Sequence, residues 1–220
     1  MEAQKENFNH KHAKSSWMSA SDDFTLIREF AEVGAREGSI DSIMKEGKYG
    51  QFLAVAGEPP QGMSDFRSCI TLVYAIYNGI ELYLKAYEYA AYPERAPKAP
   101  PKFCDLLARY QEAPWKKDDC AAFIDRYTGK DAPELLQRFL KASGLSVEEL
   151  LVMRRQINNA NFFSLLESYK PLLYSPEEGK EFFAALEREV TPLMEDSQAK
   201  YKDIDDDGVP GDVVAALAQE

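Results

Sequence analysis

The sequence predicts an all-α protein, a bundle of about five to eight helices gathered round one long helix over roughly residues 64–92. Three observations lead there. The stretch from Arg67 to Tyr92 reads RSCITLVYAIYNGIELYLKAYEYAAY and carries no charge from Ser68 to Ile80. Ile70, Val73, Tyr74, Tyr77, Ile80 and Leu84 follow the spacing of one helical face. Leu72, Ala75, Ile76, Gly79 and Tyr83 make the other side nearly as apolar, and a helix hydrophobic most of the way round must be enclosed by other elements. Elsewhere the chain offers amphipathic segments with cap signals, with neither a βαβ rhythm nor sustained strict alternation. A membrane span needs about 20 apolar residues, and Asn78, Gly79 and Glu81 arrive too soon.

Residues 1–21 are polar, hold His10 and His12 among lysines and asparagines, and are expected to form a disordered tail. Asp22 or Asp23 is placed to cap a helix through Phe24, Leu26, Ile27, Phe30, Ala31 and Val33, which ends near Gly34 or Gly38. A short helix and an irregular piece follow, and Gly57-Glu-Pro-Pro-Gln-Gly62 breaks the chain before the long helix. The arm from Phe24 to Ala56 is expected to pack on that helix. After Tyr92, the prolines at 93, 97, 100 and 101 mark a linker. Phe103, Leu106, Leu107 and Tyr110 give a short amphipathic helix, interrupted by Pro114. DDCAAFIDRY adds another up to Gly129.

Asp131 and Glu134 have the N-cap and N3 spacing for PELLQRFLKAS, which stops at Gly144. Ser146 with Glu149 forms a capping box for VEELLVMRRQI, and Ser175 with Glu178 another for EEGKEFFAALEREVTPLM. The last of these should turn Phe182, Phe183, Leu186 and Val190 inward. Residues 22–196 read as one domain, and 197–220 as an acidic C-terminal tail.

With 45% hydrophobic residues the chain can bury a sizeable core. Its polar start lacks the apolar run of a signal peptide, so a cytoplasmic location without membrane association is expected. Three widely spaced cysteines, Cys69, Cys104 and Cys120, read as buried thiols. Of the net charge of −11, residues 203–220 supply six acids and no Lys or Arg. The mildly acidic remainder argues against a broad nucleic-acid footprint but leaves room for a small basic cleft at Arg154 and Arg155.

Most catalytic templates are missing. There is no Gly-rich phosphate loop, GxSxG elbow or HExxH, and with both histidines in the tail no triad with a core histidine is expected. Neither a cofactor nor a metal is expected. Asp203-Ile-Asp-Asp-Asp-Gly208 matches the first half of a calcium loop, but Val214 stands where a bidentate acid belongs, so a solvated acidic tail is the better reading. Glu81 and Lys85, four apart in the favourable order, form an intrahelical pair or a polar anchor beside a site. Arg154 and Arg155 suit the negative end of a helix and also form a fork for phosphate. Gln156, Asn158, Asn159 and Asn161 follow them.

Two pieces together resemble the HEPN superfamily (higher eukaryotes and prokaryotes nucleotide-binding). Glu81-Leu82-Tyr83-Leu84-Lys85 stands as its E-L-x-L-K helix. After the proline-rich gap, Cys104-Asp105-Leu106-Leu107 stands as its second short motif, with cysteine where histidine is frequent. The resemblance covers about residues 64–165 and implies an all-α homodimer. Many members are metal-independent ribonucleases whose Arg…His motif lies late in the domain. Arg155-Gln156, four further residues and Asn161 match it in place and spacing, with Asn for His. An amide does not titrate near neutral pH and cannot act as general base.

The resemblance therefore implies a catalytically degenerate module binding RNA or a nucleotide phosphate through Arg154, Arg155, Gln156 and Asn158, in a toxin–antitoxin or phage-defence setting. The alternatives are an active metal-independent ribonuclease using Arg155 and Asn161, and a structural adaptor that holds a protein partner on FFSLLESYKPLLY.

Overall fold

A computed structural model of the chain describes residues 2–40, 66–91, 101–114, 116–156 and 174–203. It is all-α. Seven helices follow one another among the described residues: α1 Glu2–Glu37, α2 Phe66–Ala91, α3 Phe103–Gln111, α4 Asp118–Thr128, α5 Glu134–Ser143, α6 Val147–Gln156 and α7 Pro176–Asp203. None of the helices among the described residues is long and apolar enough to cross a membrane.

The long helix is where the sequence puts it. Along α2, Ile70, Leu72, Val73, Ile76, Ile80, Tyr83, Leu84 and Tyr87 are all buried, which covers most of its circumference. The start of the chain is different from expectation. Residues 1–21 are not a disordered tail, because α1 runs unbroken from Glu2 to Glu37. Ala13, Trp17, Ala20, Phe24, Ile27 and Ala31 are buried and alternate in steps of four and three, a seven-residue stripe. That stripe holds a polar segment in place by packing. Asp22 and Asp23 consequently lie inside the helix and do not cap it. The far end also extends beyond the expected boundary: α7 continues to Asp203, with Ser197 and Lys200 buried.

Where the sequence suggests one domain over 22–196, the chain divides into two compact units. One comprises Met1–Thr25, Asn78–Asp125 and Pro192–Glu220; the other comprises Leu26–Tyr77 and Arg126–Thr191. The first has an aromatic core. Trp17 meets Tyr87 edge-on with ring centroids 5.3 Å apart, Tyr83 lies 5.0 Å from Tyr87, and Phe24 touches both Tyr83 and Phe123. Edge-to-face pairs of this kind add about 0.5–1.5 kcal/mol each beyond area burial. Gly79 permits the approach of Phe24, since a Cβ there would stand 2.9 Å from that ring.

The second unit is built on Ile27, Phe30, Ile70, Val73, Tyr127, Leu136, Phe139, Leu150, Phe183, Leu186 and Val190, all buried. Phe182, Phe183, Leu186 and Val190 face inward as the spacing predicts. The Tyr77 hydroxyl donates to the Tyr127 carbonyl at 3.2 Å.

Both predicted capping boxes form. The Ser146 N–H donates to Glu149 Oε2 at 2.8 Å and the Glu149 N–H to Ser146 Oγ at 3.3 Å. The Ser175 N–H donates to Glu178 Oε2 at 2.8 Å and the Glu178 N–H to Ser175 Oγ at 3.1 Å. Gly144 ends α5 in the left-handed region at φ 67°, where glycine has no Cβ penalty. The expected cap at Asp131 does not form. Pro133 occupies the N-cap position without a side-chain bond, because its fixed φ already suits the approach to a helix. Pro192 lies inside α7, next to Thr191, whose hydroxyl donates to the Glu187 carbonyl at 2.9 Å.

Candidate functional site

The predicted polar pair on α2 is present. Lys85 Nζ lies 2.8 Å from Glu81 Oε1, and the two side chains are only 12% and 1% exposed. This burial separates the pair from an ordinary surface i,i+4 couple, which contributes a few tenths of a kcal/mol. A carboxylate in the core needs its partner, because an isolated buried charge is strongly disfavoured.

One and two turns further along, α2 reaches α3. Arg109 Nη1 makes an ion pair with Glu88 Oε1, whose side chain is 9% exposed while that of Arg109 is 52% exposed. The two helices that carry ELYLK and CDLL are therefore joined by a charge-assisted bond within one unit. On α3, Phe103, Leu106 and Tyr110 turn inward, while Cys104 and Asp105 are exposed. Cys104 is thus not the buried thiol expected; Cys69 and Cys120 are buried, and none of the three is in a disulfide.

Arg154, Arg155 and Gln156 are the last three residues of α6 in the second unit. Asn158, Asn159 and Asn161 lie outside the described residues, as do FFSLLESYKPLL and the Asp-rich segment beyond Asp203.

The chain also builds polar arrangements that periodicity did not point to. In the first unit, Asp196 of α7 is a hub: the hydroxyls of Tyr83 and Tyr87 each donate to its Oδ2 at 2.8 Å, and Lys117 Nζ donates to Oδ1. The Asp196 side chain is 8% exposed, whereas Lys117 is 45% exposed and carries the hub to the surface. Cys120 sits beside Tyr83, and burial pushes its thiol up to about 11. Burial first, then the neighbouring Tyr87, Cys120 and Asp196, holds the Tyr83 hydroxyl well above its ordinary range. Both groups stay protonated at neutral pH, so the thiol is no nucleophile and the tyrosines act as donors. The arrangement suits holding α2, α4 and α7 in one register. The readable signal was Tyr83 and Tyr87 four apart on a buried face, since buried tyrosine hydroxyls require partners.

A second arrangement joins α1 to α2: Asn78 Nδ2 donates to Asp23 Oδ2 at 2.6 Å. Burial, reinforced by the Asp22 carboxylate and opposed by this bond, raises the Asp23 carboxyl to about 7. His12, also expected in a disordered tail, lies on α1 with its ring 5.8 Å from that of Tyr89. A histidine on the folded body is therefore available, contrary to expectation.

The second unit has a cleft of about 310 Å³ lined by Arg126, Leu135, Arg138, Glu178, Glu181 and Phe182 among others. Its guanidiniums are engaged by carboxylates, Arg126 by Glu189 and Arg138 by Glu178 at 3.0 Å. Among the described residues, no group of three or more His, Cys, Asp or Glu side chains is gathered for a metal ion. No family model, curated protein or solved structure matches the chain.

Proposed function

We propose that the chain is a HEPN-like helical module that binds RNA or a nucleotide phosphate through Arg154 and Arg155, with catalysis disarmed at Asn161. The observation that supports it most directly is the joining of the two motif helices. ELYLK and CDLL, separated in sequence by a proline-rich gap, lie on α2 and α3 bonded through Glu88 and Arg109. Glu81 of the first motif is buried against Lys85, a costly placement for a residue with no role beyond solvating a surface.

Arg154 and Arg155 end α6, where the helix dipole favours cations; planar guanidiniums suit the bidentate recognition of phosphate oxygens. The resemblance adds a homodimer and a toxin–antitoxin or phage-defence setting to this reading. Without an imidazole at position 161, proton transfer from a ribose hydroxyl lacks its base, a loss of about 10²–10⁴ in rate.

The test is retention of labelled single-stranded RNA on a filter across a salt series. Wild type is expected to retain RNA at low salt. In Arg154→Ala/Arg155→Ala, the slope of log K against log salt should become shallower by about 1.4, two single-strand phosphate contacts. Metal-free cleavage is expected to be silent in wild type and to appear in Asn161→His. Absence of retention at low salt, or retention the double variant leaves unchanged, overturns the binding site and favours the protein-adaptor reading. Cleavage by wild type that Arg155→Ala abolishes makes the chain an active ribonuclease.

A further inference from the structure

We propose that the first unit carries a further binding site, for a phosphate group attached to a planar ring, on one face of α2 between His12 of α1 and Arg109 of α3. It is independent of Arg154 and Arg155, which belong to the other unit. Lys85 is four residues from Glu81, three from Glu88 and four from Tyr89, so these side chains share a helical face. At about 100° per residue, Glu88 falls about 60° to one side of Lys85 and Tyr89 about 40° to the other. Arg109 pairs with Glu88, and the His12 ring lies 5.8 Å from that of Tyr89 at a tilt of 41°. Lys85 therefore stands with an arginine on one flank and two aromatic rings on the other.

The charges are layered. In both ion pairs the carboxylate is the more buried partner, Glu81 against Lys85 and Glu88 against the half-exposed Arg109. The acids thus fix the aim of the cations and leave the positive groups nearer the surface, on a chain whose net charge is −11. Glu88 engages Arg109 through Nη1. A guanidinium has further donors on Nη2 and Nε, and among the described residues these make no hydrogen bond.

That arrangement defines the ligand. The open edge of a planar guanidinium, held in place from behind, matches two oxygens of a phosphate, and Lys85 adds a second cation on the same face. Beside them, the exposed His12 and the half-buried Tyr89 offer ring faces, on which a nucleobase stacks whatever its identity. Burial first, then Glu88 and Glu81, hold the Tyr89 hydroxyl above its ordinary range, so it stays a donor and adds no charge that would repel the phosphate. A nucleoside monophosphate is the simplest molecule that carries both parts. The same chemistry is found at the phosphorylated end of a nucleic-acid strand.

The deciding experiment titrates the full chain with inorganic phosphate, adenosine monophosphate and adenosine, followed by backbone amide NMR shifts. It is run in wild type and in Arg154→Ala/Arg155→Ala, so that failure of the α6 arginines is not mistaken for failure here. The monophosphate is expected to move signals near residues 85–89 and 109 in both chains and to bind more tightly than phosphate, with adenosine weakest. Arg109→Lys keeps a cation on Glu88 but loses the fork, and should weaken both phosphate probes about tenfold, one charge-assisted hydrogen bond. Tyr89→Leu and His12→Gln should each weaken the monophosphate, Tyr89→Leu by at least about fivefold, and leave inorganic phosphate unchanged. An end-phosphorylated oligoribonucleotide that binds more tightly than the monophosphate assigns the site to a strand end; equal affinity assigns it to the free nucleotide. Shifts that are absent near these residues, or adenosine binding as tightly as its monophosphate, overturn the site in wild type regardless of whether any variant folds. Monophosphate affinity that Arg109→Lys leaves unchanged overturns it as well.

Discussion

At the scale of single residues, the hub at Asp196 is the clearest case of side chains that depend on one another. Two buried tyrosine hydroxyls share one carboxylate oxygen. Removing the acceptor strands both donors, and an unsatisfied buried polar group costs about 1–3 kcal/mol. Asp196→Ala is therefore expected to lower unfolding free energy by about 3 kcal/mol. Tyr87→Phe, which removes one donor and leaves Tyr83 and Lys117 on the carboxylate, should cost about 1 kcal/mol. Urea denaturation of both variants measures this; equal losses would show that the hub is not organised round the carboxylate.

Little of the hub was legible in the sequence. Asp196 sits among the charged residues near the end of α7, and nothing in a charge pattern distinguishes a solvated aspartate from one that two tyrosines reach across the fold. Glu81 was legible, because its place on the apolar stripe of α2 could be counted. Asp23 was misread for a local reason: an aspartate ahead of an apolar run is a good N-cap signal, and only the packing of residues 13–20 carries the helix past it.

At the scale of elements, local chemistry and tertiary packing differ in how far they can be read ahead. The two capping boxes are local, spanning three residues each, and both form. Ser146→Ala and Ser175→Ala are each expected to cost about 1 kcal/mol. Their contribution also carries a pH signature. Glu149 and Glu178 are held below the ordinary glutamate value, first by the backbone N–H bonds of Ser146 and Ser175. The stabilisation is present above the unfolded value and is lost as pH falls through the folded one. Denaturation midpoints between pH 3 and 5 should thus fall less steeply in Glu149→Gln and Glu178→Gln than in wild type. An unchanged slope in both would mean that the carboxylates are not acting through the caps.

α1 shows the opposite case. The part of its stripe from Ala13 to Ala20 contains alanines and a lone tryptophan among lysines and serines, so composition alone suggests a tail there. The seven-residue periodicity was there to be counted. What outweighed it was the polar character of the surrounding residues, since small side chains carry little weight until a partner helix is known to lie close.

At the scale of the molecule, the fold class follows from α2, while the proposed function rests on the joined motif helices and on the two arginines in the last turn of α6. The proposed homodimer can be argued from the surface. Large exposed hydrophobic side chains among the described residues are few: Met18 and Val152, each 41% exposed, and Tyr201, 37% exposed. A large obligate interface resembles a core cut in half, and three scattered side chains do not make one. A dimer formed through the described residues would be of the smaller, more polar kind. Val152 lies on α6 three residues before Arg155, a spacing that shares a helical face, so pairing this helix with its copy would cover an apolar side chain and bring the two copies of Arg155 together. Their mutual repulsion would favour a dimer tightened by a polyanion.

Light scattering is expected to give a two-chain mass at micromolar concentration, strengthened by added RNA. Val152→Asp should shift the mass to one chain and weaken RNA retention, because each arginine pair would then bind alone. A wild type that stays at the one-chain mass with RNA present removes the shared-interface form of the site. Arg154 and Arg155 would then have to hold phosphate within a single chain, and Val152→Asp should leave retention unchanged.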